Sequence, residues 1–178
     1  MKKRGKGGQF YLVAAMIVIA VIIGISSISN YSNKSKADKE MKNFEQELNT
    51  EVEKNLEYIS LNSLSDSSTK NLWINLTDNY ITKLGKNKES IFIFGTKSQI
   101  TVKGYKLNNS NDLQINVGSG VESLASSEGE FERDFNPSVE NVTIIKENIE
   151  YVFDLKQGQN FYYLISKEYN SERIIIRN

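Results

Sequence analysis

The chain opens with a long apolar run. From Phe10 to Ile28 every residue is apolar, aromatic or small, and no charged residue interrupts the run. As a helix, the run would be about 28 Å long, close to the roughly 30 Å hydrocarbon core of a bilayer. The pattern therefore predicts a membrane-spanning helix, with Phe10 and Tyr11 at one interface.

After the apolar run, the pattern predicts a break and then an amphipathic helix. Residues 29–40 are rich in Asn and Ser and predict a juxtamembrane hinge or a frayed helical stretch. Helical periodicity then governs residues 41–85. It begins with an apolar stripe at spacings of three and four, formed by Met41, Phe44, Leu48, Val52, Leu56 and Ile59. The stripe fits a core helix of the domain, the outer half of a helix continuous with the membrane segment, or a coiled-coil seam to another subunit.

A second, shorter helix is predicted after a Ser-rich break at residues 63–69. Its apolar positions are Leu72, Trp73, Leu76, Tyr80, Ile81 and Leu84. Gly85 fits the position after its last residue, and Ser67 or Ser68 fits the cap at its start. Ser67 and Lys70 also have the spacing of a Ser-x-x-Lys nucleophile, but the companion motifs of those enzymes are absent. We therefore interpret this serine cluster as a helix cap.

From Glu89 onward the apolar period changes to two, which predicts strands. About seven are expected, at residues 91–94, 100–102, 113–117, 142–145, 149–155, 161–166 and 173–176. Their connectors are mostly short, which requires antiparallel neighbours. The predicted fold is α+β: a membrane helix and two further helices, followed over residues 89–178 by an antiparallel sheet or small sandwich.

Residues 118–141 are predicted as one long irregular, acidic loop. The segment has a single basic residue, Arg133, and six acidic ones: Glu122, Glu128, Glu130, Glu132, Asp134 and Glu140. Such a loop could hold a divalent cation such as calcium, or it could be a solvated acidic excursion. Because no calcium-loop spacing is present, we predict no metal site.

The charges divide unevenly along the chain. The 22 basic and 22 acidic residues sum to zero, but residues 1–8 carry +4 and the remainder carries −4. The four N-terminal cations are Lys2, Lys3, Arg4 and Lys6. By the positive-inside rule they predict a cytoplasmic N-terminus and an extracytoplasmic C-terminal domain. The mildly acidic domain is a poor match for nucleic acid, so the predicted partner is the lipid bilayer.

The composition excludes several chemistries. The chain has no His and no Cys, which rules out disulfides, a thiol nucleophile, a Ser-His-Asp triad and the common zinc sites. It also lacks a phosphate-binding Gly-Lys-Ser/Thr loop, so we expect no cofactor and no catalysis. Glycosylation is possible on the predicted outer side at five Asn-x-Ser/Thr sequons, Asn30, Asn33, Asn75, Asn108 and Asn141. Asn108, in a predicted turn, is the best candidate.

Three fates fit the N-terminal segment. A signal peptidase could cut after Ser29, although the apolar run is longer than the usual roughly 7–15 residues of a secretory signal. Alternatively, the helix could remain as an uncut anchor.

The third fate follows from the junction of the basic tail with the apolar helix. A basic tail, then Gly8, then Gln9 at the head of the helix resembles the class III signal peptide of archaeal type IV pilin-like proteins. The resemblance covers about the first 30 residues. It implies that residues 1–8 are a leader removed by a membrane-bound prepilin-type peptidase before Gln9. Residues 9–28 would then be the helix that packs against like subunits or other pilin-like proteins in a filament.

The sequence thus predicts a single-pass membrane protein of structural or surface function. The resemblance implies assembly or adhesion in a surface filament. The alternative is an anchored extracellular binding domain that does not polymerise.

Overall fold

The computed structural model describes residues 7–107, 113–118, 120–125, 127–137, 140–169 and 172–178. The chain divides into two compact units, one ending at Met41 and the other beginning at Lys42. Helix α1 (Gly7–Asn62) belongs to both units, and α2 (Asp66–Leu84) belongs to the second. Residues 29–40, expected as a hinge or a frayed helical stretch, are helical and lie within α1.

The second unit contains nine strands in the residues described, where the sequence pattern predicted about seven. They are β1 (Lys88–Gly95), β2 (Ile100–Lys106), β3 (Leu113–Asn116), β4 (Val121–Ala125), β5 (Gly129–Phe135), β6 (Asn141–Lys146), β7 (Ile149–Asp154), β8 (Asn160–Tyr169) and β9 (Glu172–Arg177). The α+β fold with antiparallel strands is confirmed. The prediction of a single irregular loop at 118–141 was wrong, because β4 and β5 lie within it.

The strands form two antiparallel sheets. One has the order β5-β2-β1-β8-β9 and the other has the order β4-β3-β6-β7. Both sheets contribute to one apolar cluster, which includes Ile91 and Val102 from the first sheet and Ile115 and Ile144 from the second. The sheets therefore pack face to face as a small sandwich.

The opposite face of the five-stranded sheet is covered by helices. The ring of Trp73 on α2 lies 4.7 Å from that of Phe161 on β8. The hydroxyl of Tyr163, also on β8, donates to Oδ1 of Asn49 on α1 at 2.9 Å. Because successive side chains of a strand point to opposite faces, β1 places Ile91 in the sandwich core and Phe92 on the helix side. The second unit thus has three layers, with β1 buried on both faces.

The apolar stripe and the second helix appear as predicted. In the second unit, Leu48, Val52 and Ile59 of α1 are buried. Gly85 ends α2 in a positive-φ conformation, φ 72°, which Gly adopts without the steric cost that other residues incur.

The predicted cap of α2 was wrong by two to three positions. Ser65 is the N-cap, and its hydroxyl accepts from the backbone N–H of Ser68 at 3.3 Å. The hydroxyls of Ser67 and Ser68 instead lie within hydrogen-bonding distance of Ser65 Oγ. In a run of adjacent serines the sequence does not distinguish the position where helical geometry begins.

Candidate functional site

The apolar segment of α1 has its side chains exposed all around the helix. Exposure of the large apolar side chains from Tyr11 to Ile28 runs from 53% at Val21 to 81% at Tyr11, with Ile28 at 72%. A helix that is apolar on every side is not stable in water and is typical of a membrane span. By length and composition, this helix can cross a bilayer.

The predicted processing and topology residues are described only in part. The backbones of Gly8, Gln9 and Phe10 lie in the first turns of α1. The basic residues Lys2, Lys3, Arg4 and Lys6 lie outside the described residues.

The sequons are spread over different elements. Asn30 and Asn33 lie in α1, Asn75 is exposed on α2, and Asn141 is exposed at the start of β6. Asn108 lies outside the described residues. The side chains of Asn75 and Asn141 are exposed, but Asn75, like Asn33, lies in a helix and not in the surface loop that is usual for a modified sequon.

A cleft that the sequence pattern did not reveal opens in the second unit beside the first turns of α2. We call it the α2 cleft. It has a volume of about 290 Å³. Four segments line it: the start of α2, the end of β1, the β1–β2 turn running into β2, and the turn before β8. The lining residues are Asp66, Ser67, Lys70, Trp73, Phe94, Gly95, Thr96, Ser98, Gln99, Thr101 and Gln159.

The only lysine in the α2 cleft is neutralised by an acid. Lys70 Nζ lies 2.7 and 2.8 Å from the two carboxylate oxygens of Asp134 on β5, and Thr101 donates to the same carboxylate at 2.6 Å. Burial alone would raise the pKa of Asp134, but the hydrogen bonds from Lys70 and Thr101 outweigh burial and hold that pKa below its usual value. The lysine is therefore held in an ion pair at neutral pH.

The same contacts explain why Ser67 and Lys70 do not form a nucleophilic pair. Lys70 donates to Asp134, while Ser67 Oγ lies 3.2 Å from Ser65 Oγ. Both residues line the α2 cleft, but among the described residues no hydrogen bond joins one to the other. A serine nucleophile needs a base within hydrogen-bonding distance, and the base proposed by the spacing is engaged elsewhere.

Three acidic residues of the 118–141 segment pair with three different lysines. Glu132 pairs with Lys103 at 3.0 Å, Glu140 pairs with Lys97 at 3.1 Å, and Asp134 pairs with Lys70. On β5 the acidic residues alternate with the buried Phe131 and Phe135. Within the part of the chain that the structure describes, no group of three acidic side chains is placed to hold a metal ion.

A buried polar network joins the two sheets. Lys146, at the end of β6, donates from Nζ to Oε2 of Glu89 on β1 at 2.5 Å and to Oγ of Ser166 on β8 at 2.9 Å. The side chains of Lys146 and Glu89 are each 3% exposed. Sequence reasoning missed this network, although a Lys at an inward position of an apolar strand was an available signal. Buried between the sheets, it is an internal structural contact.

The chain was compared with protein-family models, with curated proteins and with solved structures, and none of the three comparisons gives a match.

Proposed function

We propose that this chain is a single-pass, membrane-anchored surface protein of the type IV pilin-like kind that acts by assembly or adhesion. The observation that carries the proposal is α1, a 56-residue helix whose N-terminal part is apolar and exposed on every side. Such a surface must remain in lipid or against other apolar helices, because its exposure to water is unfavourable. In the second unit the same helix contributes an amphipathic stripe that is partly buried.

Processing is tested by the mass of the mature N-terminus. The proposal expects a chain that begins at Gln9 after removal of residues 1–8. A chain that begins at Asn30 would make this a secreted domain. An intact or merely Met-trimmed chain would leave an uncut anchor and contradict the pilin-like route.

Orientation needs its own measurement, because basic residues flank the apolar segment on both sides. Lys34, Lys36 and Lys39 follow it and compete with the N-terminal cations under the positive-inside rule. The chain has no Cys, so a single introduced thiol can be labelled without background. We expect Asn75→Cys to react with a membrane-impermeant maleimide on intact cells. In a chain whose Gly8 is changed to block processing, Gly5→Cys should react only after lysis. The reverse pattern would overturn the proposed topology.

Assembly is tested by electron microscopy of cells that express the processed chain. Filaments that disappear when Gly8 is changed to block processing support assembly. Correct processing without filaments favours the second candidate function, an anchored binding domain that does not polymerise. The α2 cleft is the specific observation in favour of that second candidate.

A further inference from the structure

The first charged residues beyond the apolar segment of α1 are lysines. Lys34 and Lys36 follow Ile28 within two and a half turns of the helix, and both side chains are exposed. No acidic residue precedes them anywhere in the chain, since the first acidic residue is Asp38. The helix therefore carries only positive charge over the stretch immediately beyond the apolar segment.

The unbroken helix fixes how far these lysines stand from the hydrocarbon core. Residues 29–40 are helical, so at about 1.5 Å per residue Lys34 and Lys36 lie about 9 and 12 Å beyond Ile28. The headgroup layer on each side of a bilayer is about 5–8 Å thick. The remaining few ångströms are within reach of a lysine side chain, which can extend its ammonium group toward the membrane. Both ammonium groups can therefore contact lipid headgroups.

Tyr31 lies between the apolar segment and the lysines, at the level of the membrane interface. Its side chain is 78% exposed. A tyrosine is favoured at this level of a membrane helix, because its ring contacts the apolar side of the interface while its hydroxyl remains in water. The order of apolar residues, then tyrosine, then lysines is the order expected where a helix leaves a bilayer.

The acidic residues of this stretch lie farther from the membrane than the two lysines. Asp38 and Glu40 follow them along the helix, at about 15 and 18 Å beyond Ile28. Because physiological salt screens exposed charges over about 8 Å, the charges nearest to the membrane dominate the interaction with its surface. An anionic surface is therefore attracted by Lys34 and Lys36 more strongly than it is repelled by the two acids.

From these observations we infer that Lys34 and Lys36 bind the headgroups of anionic phospholipids in the leaflet where α1 leaves the membrane. The inference rests on the proposed anchoring of α1, but it requires neither the removal of residues 1–8 nor assembly. A lysine close to an anionic membrane surface favours binding about fivefold. These contacts would hold the helix at one depth in the bilayer.

The test uses the full chain in vesicles of phosphatidylcholine that contain phosphatidylglycerol as the anionic lipid. Because the chain has no Cys, Ser32→Cys takes a single fluorescent label beside the lysines. Quenching by spin-labelled phosphatidylglycerol is compared with quenching by spin-labelled phosphatidylcholine. The label reports the adjacent leaflet, because the opposite headgroups, where residues 1–8 lie, are about 30 Å away. We expect stronger quenching by phosphatidylglycerol, with a preference that shrinks as salt is added.

Substitutions then assign the preference to the two lysines. Lys34→Gln and Lys36→Gln should each lower the preference for phosphatidylglycerol by up to about fivefold, whereas Lys36→Arg should retain it. Lys54→Gln is the matched control, because Lys54 is an exposed lysine of the same helix that lies about 39 Å beyond Ile28. That change should leave the preference as it is.

Flotation of the chain with phosphatidylcholine vesicles separates two kinds of failure. A chain that does not float with the vesicles would refute the anchoring and the inference together. A chain that floats but is quenched equally by the two lipids would overturn the inference alone. Equal lowering by Lys36→Gln and Lys54→Gln would also overturn it, because the effect would then follow the net charge and not the position of the lysine beside the membrane.

Discussion

Replacing Lys146 with Met tests how the two sheets are held together. Lys146 lies between them and donates to Glu89 and Ser166, and both Lys146 and Glu89 are 3% exposed. Methionine fills a similar volume but removes the charge, so Glu89 would be left as a buried carboxylate without its cation. We expect the variant to lose about 3–5 kcal/mol of unfolding free energy.

The magnitude follows from two opposing terms. At the Nζ–Oε2 distance of 2.5 Å, the attraction is about 7 kcal/mol for an effective dielectric constant of about 20. Burying the two ions costs several kcal/mol each, so the pair as a whole contributes little. The double variant Lys146→Met with Glu89→Leu should therefore lie within about 2 kcal/mol of the wild type, although each single change is costly.

The assay is urea unfolding of the full chain in micelles, followed by Trp73 emission. Lys54→Met is the matched control, because Lys54 pairs with Glu51 at 3.2 Å on the exposed surface of α1. That change should cost less than about 0.5 kcal/mol. The reasoning is refuted if Lys146→Met costs less than about 1 kcal/mol, or if the double variant loses the sum of the two single losses.

Three further changes probe local features of the fold. Ser65→Ala should lower the unfolding free energy by about 1 kcal/mol and Ser67→Ala by less, because Ser65 caps α2; equal losses in urea unfolding would contradict this. Gly104→Ala should cost about 3 kcal/mol, since its Cβ would lie 2.0 Å from the Ser90 carbonyl oxygen, and a variant as stable as the wild type would disprove the contact. Burial, with a smaller effect of nearby Glu45, raises the pKa of Tyr163 to about 12 from 10.0. The folded state holds the Tyr163 proton more tightly than the unfolded state, and this contribution to stability is complete below pH 10 and is lost as the pH rises toward 12. Between pH 10 and pH 12 the unfolding free energy of the wild type should therefore fall by about 2–3 kcal/mol more than that of Tyr163→Phe. Parallel stability–pH curves for the two proteins would be the contrary result.

Local pattern was sufficient for most elements of the fold. Apolar periodicity predicts the buried stripe through Leu48 and Val52 and the strands around Ile91 and Ile144, because the spacing of apolar residues shows which face is buried. The end of α2 follows from Gly85. The pairing of the strands into two sheets does not follow, since it depends on contacts between distant segments.

The strands within the acidic segment show where the pattern was misread. On β5, Phe131 and Phe135 are buried, but Arg133, which lies on the same face between them, is exposed and interrupts the period of two. Acidic side chains on the outward face of an edge strand made the segment resemble a loop. The apolar pattern of β4 was weaker still, because Leu124 is its one buried residue among those described.

The α2 cleft could not have been predicted from the sequence. Asp66 and Gln159 are far apart in the chain, and neither belongs to a motif. The cleft exists because the start of α2 lies beside two turns of the sheet. The charge balance at Lys70 also depends on Asp134, a residue of one of the strands that the pattern missed.

The position of β1 in the middle of its sheet has a consequence for the order of folding. β1 pairs with β2, which follows it closely, and with β8, where Ile91 lies opposite Leu164. As the chain is synthesised from its N-terminus, the β1–β2 hairpin can form early. The other edge of β1, which pairs with β8, stays unpaired until most of the domain has been made. Until β8 arrives, that edge is open to pairing with another nascent copy, so rapid synthesis of this protein favours intermolecular strand pairing over correct folding.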